Sequence, residues 1–164
     1  MNLPVMTPAI GLDEAMHFAW LEADLLDHAC YDEWLALWTP QARYVVPIDP
    51  AATEFEDCLN YIYDDHEMRR KRTERLVNGQ SISASPVART VRLLSRFRIL
   101  QADHLACELR CAQMLTEYRR GRTRSYAANV SHRLVRDAGI LRIDQKVVRL
   151  INSTEALGGI GYIL

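Results

Sequence analysis

The apolar positions change period partway along the chain. From Leu12 to Ala29, the set Leu12, Ala15, Met16, Ala19, Ala23 and Leu26 recurs at steps of three and four, the spacing of one helix face, and Asp13 with Glu14 suits the positive end of that helix. A shorter helix is predicted from Tyr31 to about Trp38, with Trp34, Leu37 and Trp38 on one side as packing residues. Pro40 disfavours helical geometry at Thr39, so Arg43 to Pro47 reads as a strand. Ile48 to Asp64, with Pro50 and several acids, reads as a loop. A third helix then runs from about Asp65 to Val77 and stops at Asn78-Gly79.

From Arg89 onward the pattern belongs to strands. Stretches rich in Val, Ile, Leu, Tyr and Thr are separated by polar turns at 101–104, 119–122 and 136–139, which predicts four long antiparallel strands at about 89–100, 105–118, 123–135 and 140–151. Val91, Leu93, Phe97 and Ile99 are expected to alternate onto one face. Helices followed by a meander predict an α+β domain with one sheet face covered by helices. Residues 1–164 are read as one domain, with an N-terminal arm over 1–10 and a C-terminal tail over 152–164.

Size and charge narrow the function classes. A chain of 164 residues is long enough to bury a core without metal or disulfide. A formal charge of −1 provides no global field for nucleic acid or an anionic membrane, so neither is expected as a partner. The first ten residues lack a basic start followed by a long apolar run, and a soluble, cytoplasmic protein is expected. The four cysteines, Cys30, Cys58, Cys107 and Cys111, form no CxxC pair; on one strand, Cys107 and Cys111 would stand roughly 13 Å apart, so all four read as small core hydrophobes.

Candidate chemistry is sparse. Asp24 and Asp27 ahead of His28 could supply an oriented general base, but capping of the second helix by Asp27, or simple solvation, is the stronger reading. The five histidines include no HxxxH or HExxH pair, no Gly-rich phosphate loop follows a strand, and the run Gly158-Gly159-Ile160-Gly161 has no helix after it. Residues 64–76 hold five basic side chains, Arg69 to Arg72 and Arg75. Acids interleave with them, so helical spacing pairs Asp65 with Arg69, Glu67 with Lys71 and Arg70 with Glu74. That helix has few apolar anchors beyond Met68, Leu76 and Val77, which leaves a solvated face or a protein interface.

In order along the chain stand Glu22-Ala-Asp-Leu-Leu-Asp27, Tyr31-Asp-Glu-Trp34-Leu, Tyr44-Val-Val-Pro47, Asp64-Asp65 leading to Arg75-Leu76, and Ser85-Pro86 with Arg89-Thr90. Their order and spacing resemble the small β subunit of aromatic-ring-hydroxylating dioxygenases over residues 10 to about 155. The resemblance implies a cone-shaped fold like nuclear transport factor 2, scytalone dehydratase and polyketide cyclases, a curved antiparallel sheet wrapped around helices. It also implies an assembly in which three such chains associate with each other and with three larger α subunits. The Rieske 2Fe-2S cluster, the mononuclear iron and the substrate pocket are then expected on the α partner, with no catalytic residue and no cofactor on this chain. Arg72, Arg75, Arg89 and Arg92 are the arginines expected at interfaces. Two positions depart from the family pattern: Arg96 follows Ser95 where Asn is common, and the ending "EALGGIGYIL" replaces the usual tail, which in the family packs on a neighbouring subunit. The competing expectation is a stand-alone dehydratase, isomerase or cyclase of the same cone fold, with Asp24, Tyr31, Tyr44 and His132 converging on a small aromatic or polyketide substrate in an open pocket.

Overall fold

Alanines set how the first helix meets the sheet. In the computed structural model, which describes residues 7–78 and 87–164, helix α1 spans Leu12–Asp27 and buries Ala15, Ala19 and Ala23 with Leu26, so small side chains let the helix lie close to the strands. Helix α2 is short, Tyr31–Ala36, and helix α3 is His66–Val77. Asp65 caps α3 by accepting from the Met68 amide at 2.9 Å. The first six residues of the predicted arm, Gly79 of the predicted helix stop, and Ser85-Pro86 lie outside the described residues.

Strand β1 is Trp38–Pro47, β2 Asn60–Asp64, β3 Arg89–Ala102, β4 Ala106–Arg119, β5 Arg122–Asp137 and β6 Ile140–Leu150. They form a six-stranded sheet in the order β2-β1-β6-β5-β4-β3. The four-strand meander agrees with the sequence pattern. Two of its turns are two-residue loops, Arg120-Gly121 and Ala138-Gly139, with positive φ at every central residue (52°, 72°, 49° and 82°). That geometry matches the right-handed twist of long hairpins. The sheet is antiparallel except where β1 runs parallel to β6.

Three expectations need correction here. Trp38 belongs to β1 and not to the second helix, because Pro40 sits in an extended segment whose register with β6 breaks between Trp38 and Arg43, which spares the ladder the missing N–H. The end of the expected loop, Asn60–Asp64, is an edge strand paired with β1. Finally, Val91 and Leu93 do not share a face with Phe97 and Ile99. A β-bulge at Ser95–Arg98, with Arg96 at φ 54°, shifts the alternation by one residue. Val91 and Leu93 therefore face out at 59% and 65% exposure, while Phe97 and Ile99 pack on the core. Asn tolerates this left-handed conformation better than Arg, which gives a physical meaning to the Arg96 departure.

The core lies between the inner face of the sheet and α1, α2 and the tail, and includes Trp34, Leu109, Leu115, Val130 and Ile143. Cys107 and Cys111 are buried within it, and burial pushes each thiol up to about 11, which keeps them protonated and inert. Cys30 is only half-buried and Cys58 is exposed, so those two are not core residues.

Candidate functional site

The inside of the cone holds a buried polar network built around Glu22, a residue on the alanine stripe of α1. One carboxylate oxygen accepts from Trp34 Nε1 at 3.1 Å and from Lys146 Nζ at 2.9 Å; the other meets His132 Nε2 at 2.8 Å. Glu22, His132 and Lys146 are each no more than 2% exposed. Burial alone would push the Glu22 carboxyl up, but the Lys146 ammonium and the His132 contact outweigh it and hold the group far below the usual carboxylate range. Lys146 also donates to the main-chain oxygen of Leu164 at 3.3 Å. Tyr44 closes the circuit, donating its hydroxyl to that same oxygen at 3.1 Å and accepting from the Leu164 amide at 3.0 Å. Burial pushes the Tyr44 phenol upward, so it stays protonated.

The tail therefore packs into its own cone, where the family pattern implied a contact with a neighbouring subunit. Ile163 and Leu164 are 1% and 3% exposed, and the Ile163 carbonyl accepts from Arg92. Within this closed interior the four residues of the competing enzyme reading do not come together. Asp24 is at the surface, 3.3 Å from His28. Tyr31 borders a small cavity of about 50 Å³ beside Asp27 and Arg92. Tyr44 and His132 are sealed from solvent, at 0% and 1% exposure, and belong to the tail-binding network. No shared substrate atom is within reach of the set.

The remaining candidates are placed as follows. Asp27 does not cap α2, whose N-cap is Cys30 with no side-chain bond. Its carboxylate instead accepts from Thr90 Oγ1 at 2.9 Å, from the Arg92 amide at 2.8 Å and from the Arg92 guanidinium, tying α1 to β3. Arg92 is thus spent inside the subunit, with its side chain 2% exposed: the Asp27 carboxylate and the Ile163 carbonyl take its two terminal nitrogens, while Nε is buried without a partner. Arg72 makes a two-pronged contact to buried Asp64, at 2.6 and 3.0 Å, and remains partly exposed. Arg75 and Arg89 are exposed. On α3 the Glu67–Lys71 and Arg70–Glu74 pairs form as expected. Asp65 and Arg69 do not pair: the cap holds Asp65, and Arg69 turns inward over the Trp38 ring at 4.4 Å and donates to the Ala42 carbonyl at 2.7 Å. Burial pushes Arg69 down to about 10. Among the described residues, no group of three or more His, Cys, Asp or Glu side chains could hold a metal ion.

The outer face of the sheet is the opposite of the interior. Val91, Leu93, Met114 and Tyr118 stand on it at 43% to 65% exposure. Beside them a groove of about 610 Å³ is lined by Arg96, Arg98, Arg110 and Arg149 with Asn129 and Ser131. Sequence reasoning missed both this cluster and Glu22 with Lys146. Glu22 could have been found as the polar member of an otherwise alanine and leucine stripe, and Lys146 as the polar start of a run, Lys146, Val148, Leu150, whose alternate members face inward.

A meander closed over an N-terminal helix, with its interior filled by the tail and apolar side chains exposed on its outer face, defines a cone-fold α+β protein. The chain belongs to the ring hydroxylating beta subunit family, whose model matches residues 21–155. It is 37% identical over 129 residues, 76% of this chain and 71% of the relative, to the small oxygenase component of the p-cumate 2,3-dioxygenase system of Pseudomonas putida. Its fold matches the beta subunit of benzoate 1,2-dioxygenase from Burkholderia mallei, with a TM-score of 0.77 and 22% identity over 99% of this chain and 100% of that one. An NTF2-like protein with a cystatin-like fold from Novosphingobium aromaticivorans also matches, with a TM-score of 0.61 and 11% identity over 85% of this chain and 81% of that one. The expected cone fold and the resemblance to dioxygenase β subunits are both supported by these matches. Among the described residues, no helix is long and apolar enough to cross a membrane.

Proposed function

We propose that this chain is a non-catalytic, single-domain subunit that builds an aromatic-ring-hydroxylating dioxygenase in the cytoplasm. Three copies associate through their outer sheet faces and hold three larger α subunits, which carry the Rieske cluster, the mononuclear iron and the substrate pocket. The reading is supported by the contrast between a cone interior plugged by its own tail and an outer face that exposes apolar side chains beside a groove of arginines with no ion-pair partner among the described residues. An assembly subunit needs a rigid body and an adhesive surface, and those are the two things this chain provides. Arg75 and Arg89 are the interface arginines most free to reach a neighbour; Arg72 can contribute only the exposed part of a side chain already anchored on Asp64.

The experiment is co-expression with a large dioxygenase subunit. The chain alone is expected to run as a trimer, to bind no iron and to oxidise no aromatic substrate, and to copurify in equal amounts with the large subunit when both are made together. Turnover or stoichiometric iron in the isolated chain overturns the proposal.

A further inference from the structure

The groove lined by Arg96, Arg98, Arg110 and Arg149 concentrates positive charge on a protein whose formal charge is only −1, so the compensating acids lie elsewhere in the chain. Among the described residues no carboxylate lies within ion-pair distance of any of the four. Asp144, toward the other end of the same face, is engaged with Arg133 at 3.5 Å, and Glu108 interacts electrostatically with that arginine as well. The bulge contributes directly: Arg96, in its left-handed conformation, and Arg98 both line the groove from β3, opposite Arg110 on β4.

The matching negative charge is one rim away. The loop between β1 and β2 is held on the outer side of the sheet by Phe55, which packs with Val45 and Val147, and by Arg149, which donates to the Ala52 carbonyl at 3.1 Å and lies 5.6 Å over the Phe55 ring. Glu54, Glu56 and Asp57 flank that anchor, all exposed, and none makes an ion pair among the described residues. One subunit therefore displays an arginine groove and an acidic loop side by side, and among the described residues neither has an ion-pair partner. Neighbouring patches of opposite sign on identical chains are satisfied when one copy's loop meets the next copy's groove, head to tail around a ring.

We infer that the groove formed by Arg96, Arg98, Arg110 and Arg149 receives the acidic loop carrying Glu54, Glu56 and Asp57 of a second copy of this chain. The inference rests on the self-association proposed above and specifies its contact. It makes assembly sensitive to salt, because the paired charges begin at the surface.

Charge reversal in the full-length chain tests it, with assembly mass read by sedimentation. Arg98→Glu with Arg110→Glu is expected to weaken self-association at least about 100-fold, as is Glu54→Arg with Glu56→Arg, since like charges then face each other across the contact. A chain carrying all four substitutions is expected to reassemble, a rescue that misfolding would not give. Undiminished assembly of the groove variant, or a fourfold variant that stays dissociated, overturns this docking while leaving the trimer standing. Retained self-association with lost binding of the larger subunit also overturns it, because the groove then serves the other partner. A wild-type chain that does not self-associate, alone or with its larger partner, overturns the assembly reading itself.

Discussion

The two faces of one sheet treat charge in opposite ways. On the inner face, charged groups are held by partners within the chain: Glu22 between Lys146 and His132, Arg92 between Asp27 and the tail carbonyl, Glu117 with Arg124 at 2.6 Å. On the outer face, arginines line an open groove without carboxylates, and leucine, valine and methionine stand in solvent. The difference shows where stability is made and where adhesion is made. A buried charge must be paired or the fold fails, so the inner network reports on folding. An exposed unpaired charge costs the subunit almost nothing and stays available to a neighbour.

The comparison is most open to attack at Glu22. Glu22→Ala leaves the Lys146 ammonium buried without its carboxylate, and a loss of about 3–5 kcal/mol is expected from urea unfolding of the dissociated subunit. A small loss would mean that the interior network is ornamental. The same group sets an acid limit. Its carboxyl titrates below its ordinary value of 4.5 in the folded chain, so its contribution is complete above about pH 4.5 and is lost as the pH falls toward the folded value. Glu22→Gln is expected to flatten the acid limb of a plot of melting temperature against pH.

Tyr44→Phe is a smaller cut into the same region. It removes the hydroxyl that serves both the oxygen and the amide of Leu164, and about 1–3 kcal/mol is expected from the buried amide left unpaired. Loosening of the tail should appear as faster amide hydrogen exchange near Ile163 and Leu164. The outer face should give the smallest response. Leu93→Ser is expected to change subunit stability by no more than about 0.5 kcal/mol, measured by the same unfolding curve, while it weakens assembly. A large stability loss there would erase the distinction between the faces.

Much of the architecture could be read from residue pattern alone, because hairpins with Arg-Gly and Ala-Gly turns and an alanine-striped helix are local signals. Strand β2 could not. Its five residues carry Asn, Asp and two tyrosines, and only pairing with β1 makes them a strand. Trp38 was hidden by a neighbouring proline that, in isolation, argues for a break. The inner network escaped because its members are distant in sequence: Tyr44 and Leu164 are 120 residues apart, Glu22 and Lys146 are 124 apart. The outer arginines were concealed differently. Two whole strands, β4 and β5, separate Arg96 from Arg149 in sequence before the sheet gathers them around one groove, and the conspicuous basic run on α3 holds residues that mostly pair at home.

The extra residue at Ser95–Arg98 gives β3 a phase, much as a reading frame has one. Exchanging a side chain there disturbs one position, but removing a single residue would turn Phe97 and Ile99 toward water and bring polar neighbours into the core together. Chain length at that point is consequently constrained more tightly than chain identity. An arginine is accommodated at the bend, yet a one-residue deletion would cost the strand both of its jobs at once.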